Sequence, residues 1–142
     1  MTAQPDDVDP ELFDLHGTGS SDLATVRRWA ARRLGDLGEP HREDALLVLN
    51  ELVQNAYEHA GGARRLRLTH RADPCEVTIG VEDNSLAPPR LRASAGTGFG
   101  GRGLYLVDNL ATAWGSRDGV ARDGKTVWAR VSCGLAHQEP CR

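Results

Sequence analysis

Between Ala45 and Ala60 the apolar residues Leu46, Leu49, Val53, Ala56 and Ala60 recur at intervals of three and four, the period of a buried stripe on an α-helix. The break at Gly35 to Pro40 and the pair Gly61-Gly62 bound this helix, which is predicted from about His41 to Ala60. Upstream, Leu23, Val26, Ala30 and Leu34 keep the same period and predict a first helix, capped by Ser20 or Ser21 with Asp22 in its opening turn. The period then changes to two. Leu66 and Leu68 alternate within Arg64 to His70, and Val77, Ile79 and Val81 within Glu76 to Asp83, with Asp73-Pro74 between the runs, which predicts an antiparallel hairpin. Leu12, Phe13 and Leu15 mark an edge strand within Glu11 to His16. Leu106, Val107 and Leu110 mark a helix over Leu104 to Ala113, and two last strands follow at Ala113 to Arg117 and Lys125 to Val131. Segregated helices and antiparallel strands in this order predict an α+β fold: a two-layer sandwich with a mostly antiparallel sheet and the helices on one face.

Composition narrows the partners. The chain has 142 residues, 39% of them hydrophobic and 26% charged, enough for one domain with a core of its own. The formal net charge of −3 provides no basic field for nucleic acid, and no apolar run approaches the roughly 20 residues needed to cross a bilayer. Residues 1–10 are acidic, lack the blocks of a signal peptide, and are expected to form a disordered lead-in to a domain spanning 11–133, with a flexible tail at 134–142. A cytoplasmic location follows from the same features. Cys75, Cys133 and Cys141, odd in number and widely spaced, are expected as free thiols, and His70 with Cys75 is too sparse for a zinc site. Arg27, Arg28, Arg32 and Arg33 on the first helix form a solvated face or a docking surface for an acidic partner.

Two stretches carry candidate chemistry. On the central helix Glu51, Asn55 and His59 are spaced four apart, which places a carboxylate, an amide and an imidazole one turn from each other on a single face. Between Asn84 and Gly101 there is no regular period, and the glycine run Gly96 to Gly103 opens directly into an apolar helix. Glycines let a backbone approach an anion, and a helix start offers unpaired N–H groups, so this junction suits a phosphate. The loop lacks the Gly-Lys-Ser/Thr ending of a Walker motif, and no βαβ repeat supports a Rossmann site.

The set Glu51-x-x-x-Asn55, Asp83-Asn84-Ser85, Gly101-Arg102-Gly103-Leu104 and Lys125-Thr126-Val127-Trp128 resembles the boxes of GHKL-type (Bergerat fold) ATPase domains. Within that superfamily it is most similar to the small bacterial anti-sigma-factor serine/threonine kinases of the stand-alone actinomycete kind. The resemblance implies ATP and Mg²⁺ as cofactors. It makes Glu51 the general base for an attacking hydroxyl, Asn55 an ATP and Mg²⁺ ligand through its amide oxygen, and His59 a neighbour of the phosphates or sugar. Asp83 would accept a hydrogen bond from the adenine amino group, with Thr126 supporting that edge. Gly98, Gly101 and Gly103 would let the lid and helix start wrap the phosphates, with Leu104 near the base or ribose. The sequence departs from the superfamily at Ser85, where glycine is usual. The implied partners are a sigma factor and a STAS-type anti-anti-sigma protein, with homodimers through the sheet or first helix, and no direct contact with nucleic acid or membrane. The competing expectation is a nucleotide-sensing protein-binding module without phosphotransfer.

Overall fold

The computed structural model describes residues 9–59, 61–72, 75–86, 103–118 and 124–132. Its elements run β1 (Glu11–Asp14), α1 (Leu23–Arg33), α2 (Glu39–His59), β2 (Ala63–Ala72), β3 (Cys75–Asp83), α3 (Gly103–Leu110), β4 (Ala113–Asp118) and β5 (Lys125–Ser132). The five strands form one antiparallel sheet in the order β1-β2-β3-β5-β4. After β3 the chain therefore passes through α3 to the far edge, lays down β4, and turns back to insert β5 beside β3. That insertion makes β3 and β5 inner strands with partners on both sides.

The period of two decides which side chains are buried. Leu66 and Leu68 of β2, Val77, Ile79 and Val81 of β3, and Val127, Ala129 and Val131 of β5 are all at most 2% exposed and face the helices. The other face carries Arg67, Thr69 and Arg71, then Glu76, Thr78 and Glu82, then Trp128 and Arg130. There, cross-strand ion pairs join Arg67 to Glu82 at 3.7 Å, and Arg71 and Arg130 to Glu76 at 3.8 and 3.5 Å.

Three helices cover the apolar face. Phe13 of β1 meets Trp29 of α1 edge to face with ring centroids 5.2 Å apart, which anchors α1 over the β1 side of the sheet. Arg33 lies over the same indole, 4.7 Å from its centroid, so one of the four arginines on α1 is a packing residue. Central α2 packs against both other helices and lies over β2, β3 and β5, while α3 packs against α2 and β4. The helix layer is thus ordered α1, α2, α3 across the sheet. Val48, Leu49 and Val53 of α2 are fully buried in the shared core.

The expected two-layer α+β sandwich is what the chain forms. The start of α1 differs in detail from expectation. A 3₁₀ turn over Ser20–Asp22 precedes the helix, and the Asp22 carboxylate accepts the Gly19 N–H at 2.9 Å, whereas neither serine makes a side-chain cap. The thiols differ too. Cys75 is disulfide-bonded, which overturns the expectation of three free thiols and removes the cysteine argument for a reducing compartment. Its partner falls outside the described residues. Among those residues no helix is long and apolar enough to cross a membrane.

Candidate functional site

The central helix carries two flanks as well as its buried stripe. Leu46 and Asn50 line a groove against Ala24, Arg27 and Ala31 of α1. At about 100° per residue, Glu51 and Asn55 fall on the flank away from that groove, and α3 is the helix packed on that side. Both side chains are half-buried, and His59, at the last turn, is exposed with Nε2 3.3 Å from the Glu58 carboxylate. Burial pushes the Glu51 carboxyl above the usual range; repulsion from Glu58 adds to the shift, and a hydrogen bond with Asn50 opposes it. A carboxylate held in this way is a better proton acceptor than one in water.

Asp83 closes β3 at the same end of the molecule. The turn from α2 into β2 uses Gly61 and Gly62 at φ of +70° and +118°, a conformation that side chains resist. Asn84, next to Asp83, donates through Nδ2 to the Gly61 carbonyl at 3.4 Å and accepts from Nε of Arg64. These bonds tie the end of α2, one turn beyond Asn55, to the end of β3. Asp83 itself continues the inward series Val77, Ile79, Val81 and is 1% exposed. Its Oδ1 accepts the Ser85 N–H at 2.9 Å and a hydrogen bond from Lys125 Nζ at 3.1 Å. The ammonium is also 2.9 Å from Oδ2, but misaligned, so Oδ2 is charge-paired yet accepts no hydrogen bond.

Lys125 was not singled out from the sequence, and it is the β5 residue that faces Asp83 directly. Thr126, expected at that edge, lies opposite Glu82 and on the other face of the sheet, where its Cγ2 would sit 3.2 Å from a Cβ on Gly80. The physical reason is parity, since neighbours on a strand point to opposite faces. The signal was present in the sequence: the inward series Val131, Ala129, Val127, continued by two residues, lands on Lys125. Gly124 precedes it for a steric reason. A Cβ there would meet the Asp83 carbonyl oxygen at 2.2 Å and Arg64 Nη1 at 3.0 Å. The entry to β5 is therefore pressed against the end of β3, which fixes the Lys125 stem beside the carboxylate.

Of the other expected residues, Gly98 and Gly101 lie outside the described residues, as does the Leu104 side chain, and Gly103 is the first residue of α3. The structure thus brings Glu51, Asn55 and His59 together on one helix and joins that helix's end to Asp83, while it separates Thr126 from them. No group of three or more His, Cys, Asp or Glu side chains forms a metal cluster among the described residues. A concavity of about 420 Å³ is elsewhere, on the open sheet face beside Arg67, Arg117, Trp128 and Arg130.

An open antiparallel sheet under three helices, with a polar flank on the middle helix and a buried carboxylate at an inner strand's end, defines an α+β sandwich of the GHKL ATPase class. Comparison with known families agrees. The model of the histidine kinase-like ATPase domain matches residues 20–131, and the chain belongs to that family. No curated protein matches the chain.

Proposed function

We propose that this chain binds ATP with Mg²⁺ and is an anti-sigma factor that acts as a serine/threonine-protein kinase on a STAS-type anti-anti-sigma protein. The observation that carries the nucleotide part is Asp83. It is a buried carboxylate whose Oδ2 accepts no hydrogen bond, and it is tied through Asn84 and Gly61 to the helix that bears Glu51 and Asn55. The Lys125 ammonium balances its charge from 2.9 Å, and an exocyclic amino group of a base would add the hydrogen bond that Oδ2 does not accept.

Bound Mg-ATP supplies the transferable phosphoryl group. Asn55 would ligate Mg²⁺ through its amide oxygen, a neutral donor suited to a cation whose charge the phosphates already balance. Glu51, desolvated and one turn away, accepts the proton of a partner's serine or threonine hydroxyl. Arrival of a phosphate of charge roughly −1.5 to −2 on the partner then breaks a fitted interface, which is the physical basis of a partner switch. The anti-sigma role and the STAS partner rest on the sequence resemblance. The cytoplasm is the compartment in which such partners meet.

The test is calorimetric titration with Mg-ATP followed by phosphotransfer to STAS-domain proteins. Binding that survives in Glu51→Gln, with phosphotransfer lost, is the expected result. ATP binding without transfer to any STAS protein by the unmodified chain would instead establish a nucleotide-sensing binding module, and absence of binding would remove both readings.

A further inference from the structure

We propose that Cys75 and Cys133 form a reversible redox pair. The imidazoles beside Cys75 stabilise its reduced thiol, so the bond opens to cellular thiols and acts as a switch among β3, β5 and α2.

The pairing follows from the sheet. Cys75 is disulfide-bonded, and the chain holds two other cysteines, Cys133 and Cys141. β3 and β5 are aligned without a shift from Asp83–Lys125 to Glu76–Ser132. One step further along that register, Cys75 is matched with position 133. Cys75 continues the inward row of Val77, Ile79 and Val81 and packs against the core, as Val131 does on β5. Directly opposed residues of an antiparallel pair have Cα atoms about 4.5–5.5 Å apart, inside the range of about 4.4–6.8 Å that a disulfide spans.

The surroundings of Cys75 suit a thiol better than a disulfide. His41, fully buried on α2, gives Nε2–H to the Val131 carbonyl at 2.8 Å, which makes Nδ1 the acceptor of the neutral ring. That nitrogen is 3.5 Å from Cys75 Sγ. A disulfide sulfur has no proton to give. A thiol at the same place donates S–H to Nδ1, or passes the proton across and leaves a thiolate beside an imidazolium. His70 of β2 brings a second imidazole, with Nε2 3.8 Å from the same sulfur, and burial and repulsion from His41 hold its pKa below the usual value. Groups that stabilise the reduced form make a disulfide more oxidising, whereas a structural disulfide resists the glutathione pool. Cys75 is only half-buried, at the first residue of β3, so the bond is not sealed from a small thiol.

Reduction consumes two thiols. The thiolate of the first attacks the Cys133 sulfur, the S–S bond breaks, and Cys75 leaves as a thiolate that takes up a proton shared with His41 Nδ1. The second thiol attacks the mixed disulfide and departs joined to the first, and Cys133 is protonated from water. Two electrons and two protons reach the protein, and the two small thiols end as one disulfide. A covalent tie between β3 and β5 is thereby exchanged for a hydrogen bond between β3 and α2, the helix that bears Glu51 and Asn55.

The experiment equilibrates the full chain, purified without reductant, in buffers of reduced and oxidised glutathione. Free thiols are then alkylated and the peptides read by mass spectrometry. Cys75 linked to Cys133 is expected in the oxidised buffer, and more than half of the protein is expected reduced at the glutathione poise of the cytosol. A Cys75–Cys141 link, no link, or a disulfide that persists at that poise overturns the proposal. His41→Gln keeps a donor toward Val131 but places no acceptor at the δ position, and it should move the equilibrium about tenfold toward the disulfide, the effect of about one hydrogen bond. His41→Asn restores an oxygen at that position and should return the equilibrium to within about threefold of the parent. Circular dichroism checks that each variant is folded; the unmodified protein at the cytosolic poise decides if neither is. A folded His41→Gln with an unchanged equilibrium also overturns the proposal. No readout involves nucleotide, so each of these failures leaves the proposed function standing.

Discussion

Replacing Lys125 by methionine removes an ammonium while keeping most of the side chain's volume, so it isolates the charge of the Asp83–Lys125 pair. The two side chains are 7% and 0% exposed, and Nζ is 2.9 Å from Oδ2. At an effective dielectric of about 20, unit charges at that separation attract by about 6 kcal/mol. Desolvating both groups offsets most of this, so the intact pair adds little net stability. Removing one partner has a different outcome. The Asp83 carboxylate would stay buried with one remaining donor, the Ser85 N–H, and the expected loss is about 3–5 kcal/mol. Asp83→Leu combined with Lys125→Met removes both charges and should return stability to within about 2 kcal/mol of the parent, or above it. Urea unfolding at neutral pH, followed by circular dichroism, measures both. With a slope of about 2 kcal/mol/M, the single replacement lowers the midpoint by roughly 2 M. A single variant within about 0.5 kcal/mol of the parent would refute the reasoning, because it would mean that the pair is screened as a surface contact is. A double variant no more stable than the single would refute it as well.

Gly124→Ala should destabilise the protein by about 1–3 kcal/mol and weaken ATP, since its Cβ would fall 2.2 Å from the Asp83 carbonyl oxygen; urea unfolding and calorimetry check the two effects. The Glu51 carboxyl is raised above 4.5 by burial, so the folded state holds its proton more tightly than the unfolded one. Stability is therefore lost as pH rises from 4.5 through the raised value, and Glu51→Gln should increase the melting temperature at neutral pH while abolishing phosphotransfer. Under the proposed function, the rate of phosphotransfer by the unmodified protein should rise with pH through that same raised value, because a general base acts only when ionised. The His70 imidazole is shifted the other way, down from 6.5, first by burial and then by repulsion from His41. Below 6.5 the unfolded state takes up the proton first, so stability should fall as pH drops through that window, and His70→Gln should flatten the fall in melts recorded at successive pH values.

Most of the fold could be read from the sequence because burial in this chain follows two clean periods. Val26 and Ala30 on α1, and Leu49 and Val53 on α2, are buried where the helical period puts them, and the inward rows of β2, β3 and β5 alternate without interruption. Features that depend on nonlocal partners were not legible. Trp29 and His41 are buried against distant parts of the chain: Trp29 meets Phe13, and His41 donates Nε2–H to the Val131 carbonyl at 2.8 Å, a bond that fixes its tautomer because a carbonyl only accepts. The place of β5 between β3 and β4 is likewise a property of the sheet, and no local pattern encodes it.

The exchange of Thr126 for Lys125 is of a different kind, since its signal was local. The family resemblance calls for a hydroxyl beside the carboxylate and not for a lysine, so residue type pointed to Thr126 while parity pointed one position earlier. Parity prevails because it is set by the backbone pleat. Moving Thr126 inward would turn Val127, Ala129 and Val131 outward, exposing three side chains that are now 2%, 0% and 0% accessible. At about 1.5–3 kcal/mol for each buried valine, with less for alanine, that exchange costs more than any single polar contact at Asp83 can return. The strand therefore delivers its lysine to the site whatever chemistry the site requires, and the carboxylate on β3 receives a cation where a hydroxyl was expected.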